Sequence, residues 1–170
     1  MSKVERIEKL EQFFGWVGGE VAGRKRLHKL IFLSQELGID FDQDFIFHHY
    51  GVYSPSLSQD LKLAKLWDIL DEIREERSNG VEYRYHLLNQ DVPEGSDGEE
   101  EVVKQIRELA QQPAMVLEVL STIVFLDKQG YSKQVIVKKL KELKGHLQHC
   151  FDDAFRLAKD IFQLEVEVVN

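Results

Sequence analysis

Apolar residues recur every three or four positions along most of the chain and every second position in one short stretch. The first stripe, Val4, Ile7, Leu10, Phe13, Phe14 and Val17, predicts a helix from about Val4 to Val17. Ser2 followed by Glu5 reads as its capping box, and Gly18-Gly19 stops it. A second helix is expected from Arg24 to Leu37, with Leu27, Leu30, Ile31, Ser34 and Leu37 inward and Gly38 as a left-handed cap. Phe45 and Phe47 alternate with Ile46 and His48, which suggests a short extended segment before Gly51 and Pro55 turn the chain. Ser54 then suits an N-cap and Pro55 the first helical position. The third helix runs to about Asp68, burying Leu57, Leu61, Ala64 and either Leu66 or Trp67.

A hairpin follows. Asn79-Gly80 is a strong type I′ turn signal, and Val81, Tyr83, Tyr85 and Leu87 alternate with polar residues as a half-buried strand does. A turn centred there pairs Arg77 with Glu82 and Glu75 with Arg84, both of opposite charge. From Asn89 to Glu101 the acidic run NQDVPEGSDGEEE has no apolar period and reads as a linker. Four further helices are expected. They run from Glu99 to Gln111, from Pro113 towards Gly130, from a Ser132 cap with Val135, Ile136, Leu140 and Leu143 inward, and from His149 to Glu165. The expected fold class is therefore mostly α (α+β). Residues 1–88 form a winged-helix-like part with a β-hairpin, residues 89–101 an acidic linker, and residues 102–170 a helical bundle packed on the first part.

Charge narrows the functional classes. Against 22 basic residues stand 30 acidic ones, a formal net charge of −8 that disfavours wrapping a phosphate backbone and leaves only a local basic patch for DNA. The single cysteine precludes an internal disulfide framework, and neither a signal peptide nor a membrane-length apolar run is visible, so a cytoplasmic protein with no membrane role is expected.

Catalytic and metal signatures are thin. No phosphate-binding glycine loop or nucleophile elbow occurs. Cys150 beside His149, with His146 four residues before it, is a weak thiol or metal constellation lacking the ligands a zinc site needs. No catalytic residue, metal or cofactor is therefore assigned. His28 reads as a hydrogen-bonded residue at the edge of the core. The cations Arg24, Lys25, Arg26 and Lys29 read either as a solvated face or as a patch for an anion or acidic partner, and Lys138, Lys139, Lys141 and Lys144 as a solvated face. If the third helix entered a DNA groove, Ser56, Gln59, Lys62 and Lys65 would make the contacts.

The segments RLHKLIFLSQELGI and FIFHHYGVYSPSLSQDL resemble the YwgA-like family of uncharacterised bacterial proteins. The matching residues are Lys29, Leu30, Leu33, Gln35, Gly38, Tyr50, Gly51, Tyr53, Ser54, Pro55, Leu57, Asp60 and Leu61, with Phe32 and Val52 as departures. The later Gly130, Tyr131, Ser132, Leu140 and Lys144 are also similar to that family's C-terminal helices. The Tyr50-Gly51 and Pro55 pattern is more distantly similar to the SocA-like Panacea antitoxin domain, which implies protein binding. The sequence thus points to a non-enzymatic interaction or regulatory module, antitoxin-like, whose partner is another protein. The candidate docking residues are His48, His49, Tyr50, Gly51, Tyr53, Ser54 and Pro55. A winged-helix DNA-binding regulator is the alternative, and a homodimer through the C-terminal helices is compatible with either.

Overall fold

The computed structural model describes residues 1–89 and 99–166. Helix α1 (Lys3–Trp16) starts at Ser2, whose hydroxyl accepts from the Glu5 amide as the capping pattern predicts. It buries Ile7, Leu10, Phe13, Phe14 and Trp16, while Val4 at its first turn faces outward, 53% exposed. A three-residue strand, β1 (Glu20–Ala22), follows; it is too short to leave a period in the sequence. Helix α2 (Arg24–Glu36) is buried on almost every side, from Leu27 continuously to Ser34. Strands β2 (Ile46–His48) and β3 (Gly51–Tyr53) pair across a two-residue turn, so the expected extended segment is half of a small hairpin. Helix α3 (Pro55–Leu66) begins as expected, with the Ser54 hydroxyl accepting from the Leu57 amide. Its inward face is Leu57, Asp60, Leu61 and Ala64; of Leu66 and Trp67, one of which is expected inside, neither is, at 78% and 44% exposed.

Strands β4 (Leu70–Arg77) and β5 (Gly80–Leu87) form the long hairpin, and β1 joins the free side of β5 to give the order β1-β5-β4. The turn is displaced by one residue from the expected position. Arg77 faces Gly80, so Ser78 and Asn79 make the turn, and the positive φ falls on Gly80 (+135°) instead of on Asn79. Glu75 consequently lies opposite Glu82, a like-charged pair. The expected partners are met diagonally: Arg77 reaches Glu75 at 3.1 Å and Glu82 at 3.5 Å, and Arg84 reaches Glu75 at 3.4 Å. The one-residue move of the turn shifts each pairing by two, so no side chain changes face.

Helices α4 (Glu100–Ala110), α5 (Ala114–Lys128), α6 (Lys133–Lys144) and α7 (Phe151–Phe162) complete the described chain. The acidic segment expected as a linker lies mostly outside the described residues, and its last residues, Glu100 and Glu101, form the first turn of α4, where their charge suits the helix dipole. Between α6 and α7 the backbone tightens to a 3-10 segment, Gly145–Cys150, so α7 starts two residues later than the apolar period suggests. Apolar α5 packs against α2, α6, α7 and β3, and residues from both halves of the chain share one hydrophobic cluster. Among the described residues no helix is long and apolar enough to cross a membrane.

Candidate functional site

The corner between β3 and α3 is held by a chain of polar contacts. The Ser54 amide donates to Nδ1 of His28 at 3.1 Å, leaving Nε2 to reach the Ser58 hydroxyl at 3.3 Å. Tyr53 stacks on the His28 ring at 4.6 Å, and its hydroxyl lies 2.9 Å from that of Ser58. Ser54 meets Ser56 at 3.0 Å, Ser56 donates to Gln43 at 2.7 Å, and Gln43 donates to Asp60 at 2.7 Å. Asp60 also accepts from Arg6 of α1 at 2.8 and 3.3 Å. Ser54, Gln43 and Asp60 are all buried, so each contact replaces water that folding removed.

His28 is the hydrogen-bonded core residue expected of it. Burial, with Lys29 beside it, pushes its pKa down to about 4. The unfolded chain binds the proton more readily, so stability is complete above about pH 6.5 and falls as the pH drops towards 4. At pH 5 the loss attributable to His28 is about 2 kcal/mol. His28→Asn, whose amide oxygen can still accept from Ser54, should flatten that part of a urea-denaturation profile; an unchanged slope would place the pH dependence elsewhere.

Beneath the β2–β3 turn lies a second buried polar group. Lys29 of α2 and Lys144 of α6 are each 3% exposed and face Glu118 of α5, with Lys144 Nζ 3.8 Å from its carboxylate. Burial, partly offset by Glu118 and reinforced by Lys144 and Lys25, lowers the Lys29 pKa to about 8. Gly51 closes this cluster from above. Its φ is +95°, and a side chain there would begin 3.5 Å from Lys29 Cε and 3.6 Å from Glu118 Cγ. The solvated-face reading therefore fails for Lys29 and Lys144, because helix packing turns both inward; Lys138 and Lys141 are exposed, and Lys139 is half-buried over the Tyr131 ring.

The cations at the start of α2 are individually engaged. Arg24 makes a bidentate pair with Glu72 (2.6 and 3.2 Å) and lies over the Tyr83 ring at 3.6 Å. Lys25 sits 3.3 Å over the ring of Tyr50, and Arg26 donates to the carbonyls of Ala110 and Gln112. Arg24, Lys25, Lys62 and Lys65 line a cavity of about 380 Å³ floored by His28, Tyr53, Ser58 and Tyr85, with Glu72 as its carboxylate. Burial alone would raise the Glu72 pKa, but hydrogen bonds from Arg24, Tyr85 and Lys65 overcome it and hold the carboxyl ionised down to about pH 2. Burial and the bond to Glu72 raise the Tyr85 pKa, keeping the phenol a neutral donor.

The expected docking residues divide accordingly. His48, His49, Tyr50 and Pro55 are exposed, Tyr53 is half-buried, and Gly51 and Ser54 are buried parts of the corner. Of the expected DNA-contact residues, Gln59, Lys62 and Lys65 are exposed, Lys65 pairs with Glu72 at 3.3 Å, and Ser56 is tied into the polar chain. Cys150 faces the core, and burial raises its thiol pKa, the opposite of what a nucleophile needs. Among the described residues no group of three or more His, Cys, Asp or Glu side chains is placed to hold a metal. Glu72, Tyr85 and Glu118 carry no local signal, since only the sheet and the packing of α5 bring them to α2.

In class, this is a mostly helical α+β protein with a small antiparallel sheet and a basic cavity between helices and sheet. It is similar to the uncharacterised protein YwgA of Bacillus subtilis (strain 168), with 25% identity over 157 residues covering 86% of this chain and 90% of that protein. That similarity supports the YwgA-like resemblance of the central motif. No protein-family model matches the chain.

Proposed function

We propose that this chain is a non-enzymatic interaction module that holds an acidic segment of a partner protein in the cavity between α2, α3 and the sheet. The carrying observation is charge placement. In a protein of net charge −8, four cations converge on one cavity whose carboxylate, Glu72, is already satisfied by Arg24, Tyr85 and Lys65. Lys62 has no ion-pair partner among the described residues, and Lys25 has only the Tyr50 ring, so both can turn to an incoming carboxylate. The exposed Tyr50 borders the same site through Lys25, and His48, packed beside Tyr50 and His49, extends the docking face. The buried Cys150 thiol favours a binding role over thiol catalysis. An antitoxin-like form of this reading predicts a stable complex with the product of an adjacent gene.

The test is fluorescence anisotropy with a labelled Glu-rich peptide at low and high salt. Lys25→Glu and Lys62→Glu should each weaken binding about tenfold, with a shallower salt dependence. Charge reversals that leave the isotherm unchanged would remove the cavity from the binding site.

One observation favours a DNA-binding reading. The order α1-β1-α2-β2-β3-α3-β4-β5, with strand order β1-β5-β4 in the larger sheet, supports a winged-helix-like part in which the β2–β3 hairpin is inserted before the third helix, with Lys62 on the helix that would face DNA. The wing itself opposes it: Arg74 pairs with Glu76, Arg77 with Glu75 and Glu82, and Arg84 with Glu20. Salt-sensitive DNA retention that Lys62→Ala abolishes would favour this second reading.

A further inference from the structure

Arg24 and Lys25 form a partition, and a second cavity of about 460 Å³ lies on its other side, bounded by Arg77 and the β5 segment Gly80–Tyr83. The adjoining part of β5 is unusual for a central strand. Strand β1 ends at Ala22, and Gly23, at φ +99°, turns the chain off the sheet into α2 after its amide donates to the Tyr83 carbonyl at 2.7 Å. Tyr83 and Leu87 both bond towards β1, the latter donating to Gly19 at 2.7 Å. Alternate residues of a strand present their backbone groups to the same side, so Val81 directs its N–H and C=O to the side β1 has left. Val81 is 46% exposed, and among the described residues no strand lies along that side of it.

We infer that this second cavity is a further subsite for the same acidic segment, which lies extended across Arg24 and Lys25 and pairs its backbone with β5 at Val81. The inference rests on the reading of the first cavity given above. Two features select a polypeptide. An open strand edge offers a ladder that only another peptide backbone can complete. The cations flanking it, Arg24, Lys25 and Arg77, suit carboxylates on that same chain. Among the described residues Arg77 is held by solvent-accessible pairs to Glu75 and Glu82, which exchange readily for a new carboxylate.

The experiment uses the full chain and two families of labelled Gly/Ser peptides. One carries a single Glu-Glu pair; the other carries two such pairs separated by about three to seven residues, the ~10–25 Å span of an extended chain. The best two-pair peptide should bind about tenfold more tightly than the one-pair peptide at low salt. Arg77→Ala should erase that advantage and leave one-pair binding intact. Val81→Pro, which removes the outward N–H and leaves the β4 ladder its donors, should reduce it as well, with near-ultraviolet circular dichroism checking that the hairpin persists. Lys62→Ala should weaken both peptides several-fold. Equal binding of both peptides, with Arg77→Ala silent, overturns the second subsite and leaves the first standing. No binding of either peptide overturns the underlying reading and the subsite with it. Displacement of the two-pair peptide by duplex DNA at lower concentration than by unlabelled peptide overturns the assignment of the ligand as a polypeptide.

Discussion

Replacing Asp60 with alanine should lower the unfolding free energy by about 3 kcal/mol, a drop readable as an earlier urea midpoint. Asp60 is 4% exposed and is where three separate pieces of chain converge: Arg6 of α1, Gln43 of the segment before β2, and α3 itself. Gln43 is in turn clasped by Gln35, which accepts from its amide at 3.2 Å and donates to its carbonyl at 2.9 Å. Removing the carboxylate leaves the buried Gln43 amide without its acceptor and takes from Arg6 its nearest carboxylate, leaving it the Met1 carbonyl and Asp42. Asp60→Asn keeps an acceptor for one of them and should lose about half as much. An Asp60→Ala protein as stable as the parent would mean that water replaces the network without penalty.

Lys29→Met should move stability the other way, raising it at pH 7 by about 1–3 kcal/mol. The folded pKa of Lys29 is lowered to about 8 from 10.5, so below pH 8 the native state carries a buried charge that the unfolded chain solvates fully. Between about pH 8 and 10.5 the unfolded state binds more protons than the native one, and native stability rises with pH through that window. The advantage of Lys29→Met should therefore shrink as the pH climbs from 8 towards 10.5, because the parent sheds the same burden by deprotonating. Methionine fills similar space, and Glu118 keeps Lys144. Thermal unfolding across that pH range gives the answer; a variant less stable than the parent at pH 7 would show that Lys29 contributes more through Glu118 than its burial costs.

These two residues also give a physical account of the motif that resembles YwgA-like sequences. Lys29, Gly51, Ser54 and Asp60 are buried, and each meets a segment distant in sequence: Lys29 meets Glu118, Gly51 closes over both, Ser54 bonds His28, and Asp60 bonds Arg6. The motif is thus mostly a means of joining α1, α2, α3 and α5, and its exposed residues include Gly38, Ile46, His48, His49, Tyr50, Pro55 and Gln59.

Much of this was legible along the chain, because caps and amphipathic stripes are local. Ser2, Ser54 and Ser132 cap helices where spacing places them, and the Val81–Leu87 alternation correctly marks a strand. The structure departs from the local pattern where side-chain contacts across elements override it. Asn79-Gly80 has the stronger turn signal, yet the turn forms at Ser78-Asn79; that register brackets the Glu75–Glu82 pair with Arg77 and Arg84. Leu143 suits an inward position by period, but α6 rolls until Lys144 faces Glu118 and Leu143 is 45% exposed.

The sequence by itself determined a mostly helical chain with one long hairpin, an acidic balance, and a capped corner at Ser54-Pro55, all consequences of neighbours within a turn or two. Only the tertiary structure decided which charges are surface and which are machinery. Arg24, Lys25, Arg26 and Lys29 look alike in sequence, but the sheet hands Arg24 a carboxylate, the β2–β3 turn hands Lys25 an aromatic ring, the end of α4 offers Arg26 its carbonyls, and α5 buries Lys29. A charge takes its role from what packs against it, and those partners lie tens of residues away.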